Sequence, residues 1–494
     1  LTHTFEISVS EHAASWRQVN EWRPAFDWMD KTRNTPNPVG DEEAFAVLCI
    51  LAGIALVVWL AGRLILPRFL DGPSSKSAKQ PPARLVPESW PKMDLALWTL
   101  AGLTIYMAIQ SRRFIAIAGP AACPFAALLV QQSWRMISIV FGRKKSPDGR
   151  PLPFPKDWVF PCWSGLAAVV LVCAAVWGWK YKKIYLDPWP NDPVRQSLFM
   201  RMTASNVKPF EVCDFINGNG LRGRMFNYWT EGGALAFGQT PDPETGQIPL
   251  KLFMDGRAQA AYNHDKYEYW QLIFSGGPET ARDKLQGKSV DYKKTGRWLS
   301  EELRKNEVWV IVMPNNQVAS VFMRAISQTE NWKTVFLDTS QQLLVDLETT
   351  EGRRLADAIL EGTAFFPDAL SQHLSTAMLI LETRSSQHVS SLMEHASAAF
   401  EIRPCASSFM MLQNAANWPP FKEKATEIIR NYLDHFRSQR ETLKKEAGYI
   451  ELLTVASHAA EYLARTEPER RTELRQLQKE FRTEAERINL QGVW

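Results

Sequence analysis

Between residue 186 and the C-terminus at 494 the chain has no long apolar run, so no helix there is expected to enter a lipid bilayer. Cysteine is scarce, six in 494 residues. Cys49, Cys123, Cys162 and Cys173 lie in or beside apolar runs, which leaves Cys213 and Cys405 alone in the rest. No metal-ligand spacing is present, and a Cys213 to Cys405 disulfide is not expected. A charge excess is lacking as well: the net charge is +4, and two basic loops account for it, which excludes a nucleic-acid surface. An apolar leader is also missing, because LTHTFEISVSEHAASW is too polar for the h-region of a signal peptide.

What is present is a crowd of apolar stretches before residue 185. The first, Ala44 to Leu66, has Arg63 as its only charge and is long enough as a helix to cross a hydrocarbon core of about 30 Å. The others are Leu95 to Gln110, Phe114 to Val130 and Trp158 to Trp179, with tryptophans at or near their ends, as at a headgroup level. Ser111, Arg112 and Arg113 alone separate the second from the third, a helical hairpin with a cationic tip. Four transmembrane spans are therefore expected.

The loops at 67–93 and 131–157 carry five and six Lys and Arg respectively and are expected on the cytoplasmic side. Parity then places residues 1–43, the Arg112/Arg113 tip and everything after Tyr185 outside. Lys180, Lys182 and Lys183 run against this orientation. The chain is thus expected in the inner membrane with an exported C-terminal part. Its start at Leu1 and its lack of a leader fit the C-terminal piece of a longer protein, an alternative start codon or a processed product.

Four regions follow: an outer-face interfacial segment at 1–43, transmembrane helices with two basic loops at 44–185, an α/β domain at 186–350 and an all-α tail at 351–494. In the α/β part, strand-like GRMFNYW, PLKLFMDGR, VWVIVMP, WKTVFLD and QQLLVDL alternate with helix-like segments at 209–216, 295–305 and 317–326. This pattern predicts a three-layer α/β domain with a largely parallel sheet. The tail is rich in Ala, Leu and Glu and breaks at PDA, RPC and WPPF. Ala396, Phe400 and Pro404 match the end of a tetratricopeptide unit, but no second copy follows, so generic helical hairpins are expected.

Gly218, Gly220 and Gly223 spell GxGxxG. A dinucleotide site needs a strand before the glycines and a helix after them; the order here is reversed, which predicts a helix cap and turn. Glu231 and Asp255 each end a strand-like segment beside a glycine, where α/β sheets place ligand-facing loops. Asp255 and Arg257 flank Gly256 and read either as a ligand-binding pair or as a self-paired turn. Arg112 and Arg113 read either as snorkelling side chains or as a fork for a lipid phosphate. Trp16, Val19, Trp22 and Phe26 have helical spacing and predict an interfacial helix, which brings Glu21, Asp27 and Asp30 close to the lipid boundary, where they read either as solvated acids or, Glu21 and Asp27 first, as candidate general bases.

Taken in order, EHAASWRQVNEWRPAFDW, SRRFIAIAGP, FNYWTEGGALAF, LFMDGRAQAAY and VWVIVMP resemble the C-terminal half of bacterial GT-C-type membrane glycosyltransferases related to the protein mannosyltransferases, over about residues 10 to 350. The resemblance implies transfer of a sugar from a polyprenyl-phosphate carrier to an acceptor on the outer face, with no nucleotide-sugar site and no cofactor beyond that lipid-linked donor. It implies membrane lipid and lipid-linked sugar as partners. Such enzymes carry their catalytic carboxylate in the first outer loop, before the region matched here, so no catalytic residue is carried over. The competing expectation is a non-catalytic membrane-anchored scaffold that binds protein partners through the α/β domain and the helical tail.

Overall fold

The computed structural model describes scattered positions between residues 45 and 182, including one complete helix, and then residues 209–492 apart from 257–263, 385–386 and 445–447. The chain divides into two compact units, 1–178 and 179–494, each taken here by itself.

In the first unit the complete helix is α1, Leu95–Gln110. Its small residues Ala101, Thr104 and Ala108 are buried, whereas Leu100, Leu103 and Ile109 are exposed. The helix is thus inside out relative to a water-soluble one. Among the described residues no helix is long and apolar enough to cross a membrane. This overturns the expected four spans. The 16 residues of α1 rise only about 24 Å at the usual helical rise, short of a hydrocarbon core of about 30 Å. The helix has the same bounds as its apolar run, so the run itself is too short for a span. The interfacial segment at 1–43 and the basic loops at 67–93 and 131–157 lie outside the described residues.

The second unit opens with α2, Phe210–Gly218, which leads into β1, Gly223–Asn227. There follow α3 (Gly232–Gly238), β2 (Leu250–Leu252), α4 (His264–Phe274), α5 (Gly277–Leu285), α6 (Tyr292–Lys305), β3 (Val308–Pro314), α7 (Val321–Ile326), β4 (Trp332–Leu337) and β5 (Gln341–Asp346). All five strands fall where their β-branched and aromatic residues predicted them. β3 is buried at every position, as a central strand with covered faces must be. On one face Val212, Phe215, Leu355 and Ile359 pack against Met225, Val310, Val312 and Leu343. On the other, Phe226 stacks on Phe322 of α7 and Trp270 of α4. Helices therefore cover both faces.

The strand order is β2-β1-β3-β5-β4. β1 pairs in parallel with β2 and β3, but β5 pairs antiparallel with both β3 and β4. The sheet is mixed, and the expectation of a largely parallel one is corrected. The cause is the short turn after β4. The Asp338 carboxylate accepts the backbone N–H groups of Ser340 at 2.5 Å and Gln341 at 2.6 Å and folds the chain straight back. A connection this short joins antiparallel neighbours only.

Among the described residues seven further helices follow: α8 (Thr350–Leu360), α9 (Ala369–Thr383), α10 (Val389–Ile402), α11 (Ala406–Ala416), α12 (Lys422–Leu443), α13 (Tyr449–Thr466) and α14 (Arg471–Gly492). The expected breaks sit between them. Asp368 caps α9 by accepting the Ser371 N–H at 2.7 Å, and Pro419 opens a 3-10 turn before α12. From α9 onward each helix packs on the next, and α9 with α11 and α11 with α13 also touch, which makes a stack. Ala396 and Phe400 are buried on α10, which ends just before Pro404. α9 also packs on β4, so sheet and tail belong to one unit.

Candidate functional site

β1 runs to β2 on one side, while β3 lies on the other. The carboxyl ends of β1 and β3 therefore frame a topological switch point, the place where open α/β sheets bind ligands. Asn227, fully buried at the end of β1, organises this end. Its Nδ2 donates to Met254 O at 2.7 Å and its Oδ1 accepts the Phe253 N–H at 3.1 Å, so one side chain ties the ends of β1 and β2 together. Its own carbonyl accepts the Trp270 indole N–H at 3.1 Å, which anchors α4 to the same spot. The Tyr228 N–H continues towards β3 by donating to Val312 O at 3.2 Å.

After Tyr228 a single 3-10 turn, Trp229–Glu231, delivers the chain to Gly232 at the start of α3. Gly232 touches the backbone that follows β2: a Cβ there would lie 2.6 Å from both Asp255 Cα and Met254 O. Only glycine permits that approach, and it makes Glu231 a neighbour of Asp255. Asp255 is buried and Glu231 is half-buried at the surface of the turn.

Aromatic rings line the same end. Trp229 meets Tyr267 edge to face at 6.2 Å, Tyr267 stacks on Trp270 at 6.4 Å, and Trp270 stacks on Phe274 at 5.0 Å. Tyr228 packs beside Trp270 and Phe274. Burial pushes the Tyr267 hydroxyl up to about 12. Burial, followed by the Glu231 charge, also raises that of Tyr228. Both phenols stay protonated near neutrality and can donate hydrogen bonds.

Of the residues singled out in the sequence, Glu231 and Asp255 are thus brought together. Arg257 lies outside the described residues, so the Asp255–Arg257 turn does too; so do Arg112, Arg113, Glu21 and Asp27. The reading of the sequence missed Asn227 and the aromatic run. Tyr267, Trp270 and Phe274 repeat at i, i+3 and i+7 within HDKYEYWQLIF, a helical face visible in the letters. Among the described residues no three His, Cys, Asp or Glu side chains gather to hold a metal ion.

Asp255, Tyr267 and Trp270 are buried beneath the surface of this end, and the groups that reach it are Glu231, Tyr228, Trp229 and Phe274; a carboxylate that accepts from hydroxyls beside rings that cover C–H surfaces suits a polyhydroxylated ligand. Set against known protein families, curated proteins and solved structures, the chain matches none of them.

Proposed function

We propose that this chain serves glycosyl transfer from a polyprenyl-phosphate-linked sugar, and that the carboxyl end of β1 and β2 holds a saccharide. The observation that carries this reading is the close approach of Gly232 to the backbone at Asp255, which holds the turn bearing Trp229 and Glu231 against the end of β2 beside the aromatic run from Trp229 to Phe274. Of the sequence stretches that bear the resemblance, FNYWTEGGALAF and the start of LFMDGRAQAAY, through Met254 and Asp255, meet there. The outward-facing Leu100, Leu103 and Ile109 of α1 support contact with a lipid carrier.

The test is saccharide binding by the full chain on an array of immobilised oligosaccharides, followed by transfer from a synthetic polyprenyl-phosphate sugar. Trp229→Ala and Glu231→Gln should each weaken binding roughly tenfold, the loss of one hydrogen bond or one ring contact. A chain that binds no saccharide, or variants that bind as well as the wild type, would refute the assignment.

The stack from α9 to α14 favours a second role for the tail, since stacked helices present extended faces for protein partners.

A further inference from the structure

A cavity of about 860 Å³ opens at the other end of the sheet, where β1 and β3 begin, and the glycine-rich turn after α2 forms one of its walls. That volume falls in the range of small-molecule sites, about 300–1,000 Å³. The wall is held in place. Gly223 has φ +107°, and a Cβ there would sit 2.8 Å from Trp309 Nε1. The same indole N–H donates to Arg222 O at 2.8 Å. The turn is therefore fixed against Trp309, and the Arg222 side chain stands at the rim, 74% exposed.

Among the residues that line the cavity three arginines, Arg222, Arg304 and Arg354, face two glutamates, Glu307 and Glu351. Arg304 is already spent on two carboxylates, Asp346 at 2.6 Å and Glu348 at 2.7 Å. Glu307 faces Arg224 at 3.5 Å. The carboxylate beside Arg222 is Asp242, whose Oδ2 lies 3.9 Å away, while its Oδ1 accepts the backbone N–H groups of Glu244 at 3.1 Å and Thr245 at 3.0 Å. Arg354, on the first turns of α8, makes no hydrogen bond or ion pair among the described residues. The one acid left is Glu351, which sits in the first turn of α8, where the helix dipole already favours a negative charge. Arg354 thus faces the cavity without a partner among the described residues, and Arg222 faces it in one loose pair with Asp242. Their planar forks match the oxygens of a phosphate or a carboxylate.

We propose that this cavity binds a small ligand bearing an oxyanion, a phosphate or carboxylate group held between Arg222 and Arg354. The site is separate from the saccharide site at the opposite end of the strands and does not depend on it. The experiment is thermal unfolding of the full chain in chloride, inorganic phosphate and citrate at matched ionic strength. Phosphate, citrate or both should raise the midpoint by roughly 3 °C over chloride, as expected for ligand at well above its dissociation constant; the more effective anion identifies the group. Arg222→Gln and Arg354→Gln should each remove most of that rise, and Glu351→Gln should enlarge it. Arg324→Gln, at an arginine on α7 that does not line the cavity, should leave it intact. Phosphate and citrate are also general stabilisers by exclusion from surfaces. An equal rise in the Arg222→Gln/Arg354→Gln double variant, or no rise in the wild type, would therefore overturn the proposal. Glu231→Gln should leave the anion response unchanged, so failure of the saccharide assignment and failure of this one are read separately.

Discussion

Glu382 on α9 closes the open edge of β4 at Thr334: one carboxylate oxygen accepts the Thr334 amide at 2.6 Å and the other accepts Thr334 Oγ1 at 3.0 Å. Two helical turns earlier on α9, Ser375 Oγ accepts the Leu337 amide at 2.8 Å. The irregularity in pairing between Thr334 and Phe336 shifts the strand's alternation by one, so that both amides face away from β5. An uncovered edge is a template for pairing with another chain, and here side chains take the place of a sixth strand. Burial raises the Glu382 carboxyl above its ordinary range, while the two bonds from Thr334 oppose that shift.

Glu382→Ala should therefore destabilise the chain by about 1–3 kcal/mol, the cost of a buried donor left unmade. Glu382→Gln keeps an acceptor and should cost less. Urea unfolding measures both; an alanine variant with the wild-type midpoint would show that the edge needs no cover.

Gly232→Ala should cost about 1–3 kcal/mol, because its methyl group meets backbone atoms at 2.6 Å and the turn must shift. Gly233→Ala is the control, since nothing lies within 4 Å of a Cβ there. The first variant should also lose saccharide binding; the second should keep it.

His373 and His395 face each other across α9 and α10 with their Nδ1 atoms 2.8 Å apart and their ring centroids 5.1 Å apart. Nitrogen points at nitrogen, so one proton is shared and a second cannot be added without repulsion. Burial lowers the pKa of both, the His373 charge lowers that of His395 further, and Glu394 opposes. A histidine with a depressed folded pKa contributes stability that is complete above its unfolded value, about 6.5, and is lost as the pH falls below it. The melting temperature should drop between pH 7 and pH 5. In His395→Phe that drop should be smaller, and an undiminished slope in the variant would rule the pair out as its source.

Glu211 titrates with the opposite sign. Burial of its carboxyl, then the charges of Asp338 and Asp368, push it up to about 7 against the pull of Arg403. A carboxylate raised in this way favours folding at low pH and loses that contribution as the pH climbs from its unfolded value through about 7. Much of the Glu211 side chain is open to solvent, so screening keeps the effect small. Glu211→Gln should flatten the stability profile between pH 5 and pH 8, measured by urea unfolding at each pH. A profile as steep as that of the wild type would exclude Glu211.

The strands were legible because each carries its own signature: VWVIVMP admits no other reading once it is buried on every side. Their direction was not, since it turns on Asp338, whose carboxylate folds the backbone over two residues and looks in the sequence like any loop acid. Glu231 and Asp255 could be nominated from glycines at strand ends, but no spacing announces that Gly232 will touch Asp255. The aromatic face of α4 lay hidden among His264, Asp265, Lys266 and Glu268, which make the segment look like a solvated helix. The apolar run at Leu95–Gln110 gave the bounds of α1, but its 16 residues are too few to cross a bilayer. Glu382 and Thr334 illustrate the limit most plainly, because no periodicity relates a glutamate near the end of one helix to an amide on a distant strand.

The place of β5 has a consequence for how the chain is made. It is the last strand to leave the ribosome, yet it sits between β3 and β4, so neither neighbour has its full complement of partners until residue 346 has emerged. Even then β4 keeps a bare flank until residues 369–383 arrive as α9. A nascent chain halted anywhere before residue 383 would expose strand edges capable of pairing with other molecules. Dividing the gene at the apparent end of the α/β segment near residue 350 would freeze it in that sticky, half-assembled condition, and a soluble fragment needs its boundary placed beyond α9.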